Sequence, residues 1–330
     1  MSAPGSGGAA DNTGGAPGGG ARASEGESVV ILGGACAGYT AAIYTARAQL
    51  DPLLFAGPLD GGQLSQTTEV ENYPGFPEGV MGPELMQSFR KQAEKFGTRI
   101  RSGAVTAVDF SVRPFRLTDP DGAEVRARAV IIATGATARW LGLPSEDRLK
   151  GRGVSACATC DGFFFRNKEI AVVGGGDSAL EEAFFLTRFA SRVTIIHRRD
   201  ALRASRAMQE RARANPKMAF LWDSAVEDVL GDSRVEGLRV RNLKTGAVAD
   251  MPFQGLFLGI GHEPNTAIFR GQLEMDGHGY IACKRFTETS VGGVFAAGDV
   301  RDSRYRQAIV AAGSGCQAAL DAEKYLAEQG

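Results

Sequence analysis

Two glycine-rich turns, each set between an apolar run and a helical stretch, constrain this 330-residue chain more than any other feature. The run 28–32 ends in Gly33-Gly34-Ala35-Cys36-Ala37-Gly38, and a helical pattern over 39–49 and an apolar strand over 52–55 follow. The same order recurs about 140 residues later: a strand over 169–173, Gly174-Gly175-Gly176-Asp177-Ser178-Ala179, a helix over 180–189 and a strand over 193–197. Each is a βαβ unit whose first turn suits a dinucleotide pyrophosphate. The first glycine of such a loop makes the tight turn, the second admits the phosphates, and the third small residue lets the helix pack on the strand. The helix N-terminus adds free N–H groups and a positive dipole end. The repetition predicts an α/β chain with two Rossmann-like units, one dinucleotide in each. Runs 129–133 and 293–297 deliver Thr134-Gly135 and Gly298-Asp299 to strand ends, where open α/β sheets bind ligands. A small-residue helix over 307–326 closes the pattern.

The two loops differ. Gly174, Gly176 and Ala179 match the phosphate fingerprint in full. The first loop keeps Gly33 and Gly38 but carries Ala35 at the second glycine position, followed by Cys36. A methyl there crowds the diphosphate or widens the loop, and Gly34 offers compensation through positive φ. The alternative is a loop that only turns the chain. No acid follows strand 52–55, where Asp or Glu usually holds a ribose hydroxyl, so ribose binding must come from elsewhere. After the second unit's strand come His197-Arg198-Arg199-Asp200 and then Arg203. Guanidinium groups there suit the 2′-phosphate of NADPH through bidentate, charge-assisted bonds. A solvated basic loop is the bland reading of the same residues.

Cys157-Ala158-Thr159-Cys160-Asp161 lies just before the second βαβ unit. Two thiols at this spacing form a redox pair in a chain of intracellular type. Half of a zinc site is the alternative, but Cys36, Cys283 and Cys316 are isolated and His197, His262 and His278 form no close pair. Phe163-Phe164-Phe165 follows directly, and consecutive aromatics on a strand cannot all face inward. They are either core or a docking patch for a protein substrate.

Composition narrows the setting. A net charge of −1 lacks the basic excess of a nucleic-acid binder. No apolar run approaches the ~20 residues of a membrane span. Five cysteines make no secreted disulfide framework and favour a reducing compartment. Residues 1–27, rich in Gly, Ala and Ser, read as a disordered tail. That segment lacks the apolar core of a signal peptide, and its acids against Arg22 alone make a poor transit peptide, so the cytoplasm is favoured over an organelle.

From residue 28 to 330 the chain resembles the NADPH-dependent thioredoxin reductases of the low-molecular-weight flavoprotein class. The resemblance rests on Gly61-Gly62-Gln63-Leu64, Glu71-Asn72-Tyr73-Pro74-Gly75-Phe76-Pro77, Ala133-Thr134-Gly135-Ala136, the Cys157–Asp161 motif, Gly174 to Glu182, His197 to Asp200, Phe295 to Val300 and Tyr305-Arg306-Gln307-Ala308. The first phosphate loop departs, because the family reads Gly-Ser-Gly-Pro-Ala-Gly there. The resemblance implies an NADPH-binding domain (140–261) inserted into a discontinuous FAD-binding domain (28–139 and 262–330), and a homodimer. It implies FAD along Gly33 to Gly38, Thr134 and Gly135, with Gln63 and Asn72 against the flavin and ribityl chain and the Val105 backbone at the adenine. Asp299 is implied at the ribityl chain and phosphates, and Arg306, Gln307 and Ala308 beside the ring. For NADPH it implies Gly174, Gly176, Asp177, Ser178 and Ala179 at the pyrophosphate, and His197, Arg198, Arg199 and Arg203 on the 2′-phosphate side.

The implied chemistry takes electrons from NADPH through FAD to the Cys157–Cys160 disulfide and on to thioredoxin. Cys160 would lie nearer the flavin, Cys157 would attack the partner, and Asp161 would be the acid–base. A plain turn role before Gly162 is the alternative for Asp161. The family rotates one domain between two arrangements, which makes 138–142 and 258–265, with Gly259 and Gly261, the hinge candidates. Other readings remain open at this stage: a related reductase with another disulfide partner, a ferredoxin-linked variant, or a flavin-free redox sensor.

Overall fold

The computed structural model describes residues 26–67 and 69–330; the tail reading for residues 1–25 lies outside them. The first strand, Glu27–Leu32, starts inside the stretch read as tail, and Glu27 pairs its carboxylate with Arg99. Val29 to Leu32 are all buried, as a central strand covered on both faces requires. It pairs in parallel with Leu53–Phe55 on one side and Glu124–Ile132 on the other. Arg99–Arg101 extends the sheet beyond Leu53–Phe55.

Beyond Glu27–Leu32, Glu124–Ile132 serves two further partners because its halves differ in burial. Its polar amino half pairs antiparallel with Phe115–Thr118, and its carboxyl half, through Val130, pairs in parallel with Val294–Ala296. A strand from late in the chain thus sits in the sheet that the first residues open. Alternating side chains divide the core. Val29 and Ile31 face the helices Cys36–Arg47 and Ala308–Gln329, while Val30 and Leu32 face Phe115, Phe269 and Ile281.

A second parallel sheet runs Val154–Ser155, Leu256–Gly259, Glu169–Gly174, Arg192–Ile196, Met218–Leu221. Ile170 and Val172 pack under the helix Asp177–Leu186, and Ala171 faces an antiparallel ribbon of Ser224–Leu230, Gly237–Asn242 and Val248–Met251. The chain crosses between the sheets twice, and the crossings pair antiparallel as Ala136–Ala138 with His262–Pro264. Gly142 and Gly261 flank that ribbon at φ 81° and 93°. Gly259 is not free in the same way: it lies opposite Gly174, and a Cβ on it would come within 2.7 Å of Ala179 Cα. No helix among the described residues is long and apolar enough to cross a membrane.

Candidate active site

Cys157 caps the short helix Ala158–Asp161, and three-residue spacing on one turn brings Cys160 to the same face. The two are joined in a disulfide, with Cα atoms 5.3 Å apart. The Cys160 N–H donates to Cys157 Sγ at 3.2 Å. No group of three or more His, Cys, Asp or Glu side chains among the described residues is placed to hold a metal ion. The pair faces the segment that leads into the last helix. Gln307 donates to Thr159 Oγ1 at 3.0 Å, its Nε2 lies 4.0 Å from Cys157 Sγ, and its Oε1 accepts from Asn72 at 3.3 Å. Three residues singled out in the sequence, Asn72, Gln307 and Cys157, therefore meet across more than 230 positions of chain.

Asp161 donates its backbone N–H to the Cys157 carbonyl at 3.2 Å. Burial pushes its carboxyl above the usual range, and the Ser155 hydroxyl partly offsets this by hydrogen bonding. Ser155 is itself buried and accepts the Cys157 N–H at 3.0 Å. Nothing in the sequence marked it beyond its place two residues before the redox pair. The three phenylalanines divide: Phe165 is buried against Phe257, while Phe163 and Phe164 are 46% and 38% exposed.

In the second glycine-rich loop, Gly176 is the N-cap of Asp177–Leu186 with no side-chain cap, so the first N–H groups stay available to an anion. A Cβ at Gly176 would meet nothing within 4 Å, whereas one at Gly174 would lie 2.5 Å from the Gly259 carbonyl oxygen. The first is an open approach for phosphate; the second is a packing contact at φ 154°. Asp177 turns its carboxylate to the Ser205 N–H at 2.9 Å. Ser178 is exposed on the first turn, and Ala179 is buried against the strand. His197 is buried under Gly175, with Nε2 3.1 Å from the Ala201 carbonyl, and burial pushes its imidazole down. Its place is beneath the loop. Arg198, Arg199 and Arg203 are exposed beside it. Asp200 is held by Lys244 at 3.2 Å.

The first loop fits an anion in the same way. Ala35 caps Cys36–Arg47 with extended backbone and no side-chain cap, and the first turn carries no acid. Its methyl faces Gly62, where a Cβ would lie 3.0 Å away. Gly34 does not take the positive φ expected of it. Glycine is needed there because a Cβ would lie 2.8 Å from Ala56 Cα. Cys36 is buried beside Met86, and its thiol is pushed up to about 12 by burial and by Asp299. Asp60, the first acid after Leu53–Phe55, is engaged by Tyr39 and Arg90.

Gln63 donates to the Ala136 carbonyl. Thr134 and Gly135 are tied to Asn265, which donates to the Thr134 carbonyl at 2.8 Å. Asn265 lies 131 positions away, and no spacing in the sequence announces it. Val105 is buried in the core beside this sheet. Asp299 sits on the turn Gly298–Val300, its carboxyl pushed up to about 6 by burial and Asp302 against the pull of Arg306. Arg306 holds φ 47° just before Gln307, and Ala308 begins the last helix. The Arg306 charge also acts on Glu182 and His262. Burial pushes the Glu182 carboxyl up to about 8, and burial with Arg306 pushes the His262 imidazole down to about 4. Glu182 Oε2 and His262 Nδ1 are buried without a hydrogen-bond partner.

Residues 27–315 match the pyridine nucleotide-disulphide oxidoreductase family. The chain is 58% identical over 306 residues to the thioredoxin reductase of Streptomyces coelicolor, covering 92% of this chain and 95% of that one. The solved thioredoxin reductase of Streptococcus pyogenes shares 41% identity over 92% of this chain and 98% of its own, with a TM-score of 0.87. That of Lactococcus lactis, in its FR conformation, shares 42% over 92% and 99%, with a TM-score of 0.62. The chain belongs to the pyridine nucleotide-disulphide oxidoreductase family, among its thioredoxin reductases.

Proposed function

We propose that the chain reduces the disulfide of thioredoxin with NADPH, through FAD and the Cys157–Cys160 pair. The observation that carries this reading is the placement of the disulfide against Gln307, which leads into the last helix and accepts a hydrogen bond from Asn72. The helix N-terminus at Ala35, which no side chain caps, with Gln63, Thr134, Gly135 and Asp299 around it, supports FAD in the first unit. The open N-terminus at Gly176 and the arginines 198, 199 and 203 support NADPH in the second. Bound flavin supplies two-electron transfer between a nicotinamide and a disulfide. This chain's residues do the rest. Gln307 and Thr159 hold the redox pair in register, and Cys157 is the sulfur that attacks the partner. Asp161 takes the proton of the attacking thiol and returns it to the leaving thiolate.

In this arrangement the redox pair is turned toward Gln307, so exchange with a protein disulfide requires it to leave. The paired crossings Ala136–Ala138 and His262–Pro264 suit a hinge, with Gly142 and Gly261 absorbing the backbone change. Two solved thioredoxin reductases with nearly equal identity and coverage but TM-scores of 0.87 and 0.62 support such a rearrangement of the same parts. The domains divide at that hinge: 28–139 with 262–330 for FAD, 140–261 for NADPH. Phe163 and Phe164 dock the partner. Exposed Tyr44, Ile309, Val310 and Leu320 on the two paired helices of the first unit support a homodimer. Three free cysteines suit the reducing cytoplasm.

The test is purified protein with NADPH and oxidised thioredoxin. Flavin absorbance near 450 nm and thioredoxin thiol release are expected, and Cys157→Ser or Cys160→Ser should abolish release while leaving the flavin bound. A colourless protein that does not take up FAD, or release that persists in both variants, would defeat the reading.

A further inference from the structure

Converting a disulfide to two thiols with one hydride equivalent consumes one proton from solvent, so a proton must reach the sulfur atoms in every cycle. A cleft of about 740 Å³ lies against the redox helix, lined by Ser155, Asp161 and Phe164 from the second unit and by Met81 from the first. Gln307 takes no part in its walls, so the cleft reaches Asp161 by a route other than the Gln307 face. Ser155 links Asp161 to the redox pair. Its oxygen accepts the Cys157 N–H at 3.0 Å, which leaves one hydroxyl proton and two acceptors, the Asp161 carboxyl and the Cys157 carbonyl at 3.3 Å. An ionised Asp161 wins that proton, because charge-assisted hydrogen bonds are about twice as strong. A protonated Asp161 releases the hydroxyl to the carbonyl.

We propose that this cleft is the solvent port through which Asp161 exchanges protons, and that Ser155 is the positioning residue holding the Asp161 carboxyl between the port and Cys157. The proposal rests on the reading of Asp161 as the acid–base. In exchange with a partner disulfide, the Cys157 thiol gives its proton to Asp161 as sulfur attacks, and the partner S–S bond breaks. The leaving thiolate is protonated, and Cys160 then displaces the second partner thiol. Two enzyme thiols are oxidised, one partner disulfide is reduced, and no net proton is exchanged. The proton taken up when the enzyme disulfide is reduced again enters through the cleft. Glu69, Arg152, Lys168, Arg234 and Glu236 also face the cleft, but burial and Ser155 are what act on Asp161. The cationic side chains draw small carboxylates inward.

The experiment uses flavin-loaded enzyme reduced with dithiothreitol, freed of excess reductant and mixed in a stopped-flow instrument with 4,4′-dithiodipyridine across pH. Asp161→Ala should slow thiol attack about a hundredfold. Acetate should restore at least tenfold of that loss in proportion to its concentration, without affecting wild type or Asp161→Asn, which leaves no space. Ser155→Ala should shift the acid limb of the pH profile to higher pH, because the group that favours the carboxylate is gone, and Ser155→Thr should restore it. Failure of acetate to rescue an Asp161→Ala protein that keeps its flavin spectrum overturns the port. An unshifted Ser155→Ala profile overturns the positioning role. Wild-type rates in Asp161→Ala itself defeat the acid–base reading, and the proposal falls with it.

Discussion

Replacing Arg198 and Arg199 tests the nucleotide assignment where the two nicotinamides differ by one phosphate. Both side chains are exposed, as is Arg203, and the neighbouring acid Asp200 is drawn off by Lys244, which also meets Asp223 at 3.0 Å. The guanidinium groups are thus available to an anion at the end of Arg192–Ile196. A hydrogen bond to a charged group contributes roughly 1.5–3 kcal/mol, and exposure to solvent and salt sets these at the lower end. Losing one arginine then costs about 1.5 kcal/mol, close to tenfold in affinity. The double variant Arg198→Ala/Arg199→Ala should raise KM for NADPH about a hundredfold if the two act independently. Neither guanidinium meets the reacting atoms, so kcat should hold and the loss should be one of uniform binding. Steady-state kinetics with NADPH and NADH, at low and high salt, measure it. The NADH constants should barely move, and the NADPH constants of wild type should worsen with salt. An equal fall with both nucleotides would refute the reasoning, since it would place the arginines in the fold or at the shared pyrophosphate.

Gly176→Ala should leave the melting temperature within a degree or two and raise KM for NADPH, whereas Gly174→Ala should destabilise the apoprotein, because only the latter meets the Gly259 carbonyl; calorimetry paired with kinetics separates the two. Glu182 is predicted to make stability pH-dependent. Its native carboxyl titrates at about 8 against 4.5 unfolded, so its contribution is present below 4.5 and lost as pH rises through 8. Glu182→Gln should therefore gain on wild type between denaturation series at pH 5 and pH 9, by about 5 kcal/mol at most; equal differences at both pH values would contradict it. Phe163→Ser with Phe164→Ser should raise KM for thioredoxin about tenfold or more while leaving reduction of a small disulfide nearly unchanged; a matching loss with both substrates would assign the rings to the fold instead.

Much of this arrangement was legible because the signals were local. The strand–glycine–helix order of both units could be read from adjacent residues, and the structure differs from it by a few positions at element ends. Helix starts were read late, at 39 and 180 rather than Cys36 and Asp177, because the glycines that open each loop mask the first turn of the helix. The antiparallel additions at Ala107–Asp109, Phe115–Thr118 and Ser224–Met251 went unread, since short strands half-exposed to solvent carry little periodicity. The site's supporting residues were hidden for another reason. Asn265 braces Thr134 across 131 positions, the Arg306 charge acts on Glu182 and His262, and Ser155 hydrogen bonding acts on the Asp161 carboxyl, none of which any sequence spacing announces. Gly34 was misread in kind: its lack of a side chain serves close approach to Ala56 and not backbone freedom.

Differential alkylation read by mass spectrometry tests the central claim most directly, because it reports each sulfur by position. Reduced anaerobically with a single equivalent of NADPH, Cys157 and Cys160 should pass from protected to labelled, and an excess of oxidised thioredoxin should return both to protection. Buried Cys36 should stay unlabelled throughout. A pair that remains oxidised under NADPH, or stays labelled after thioredoxin is added, would contradict the account.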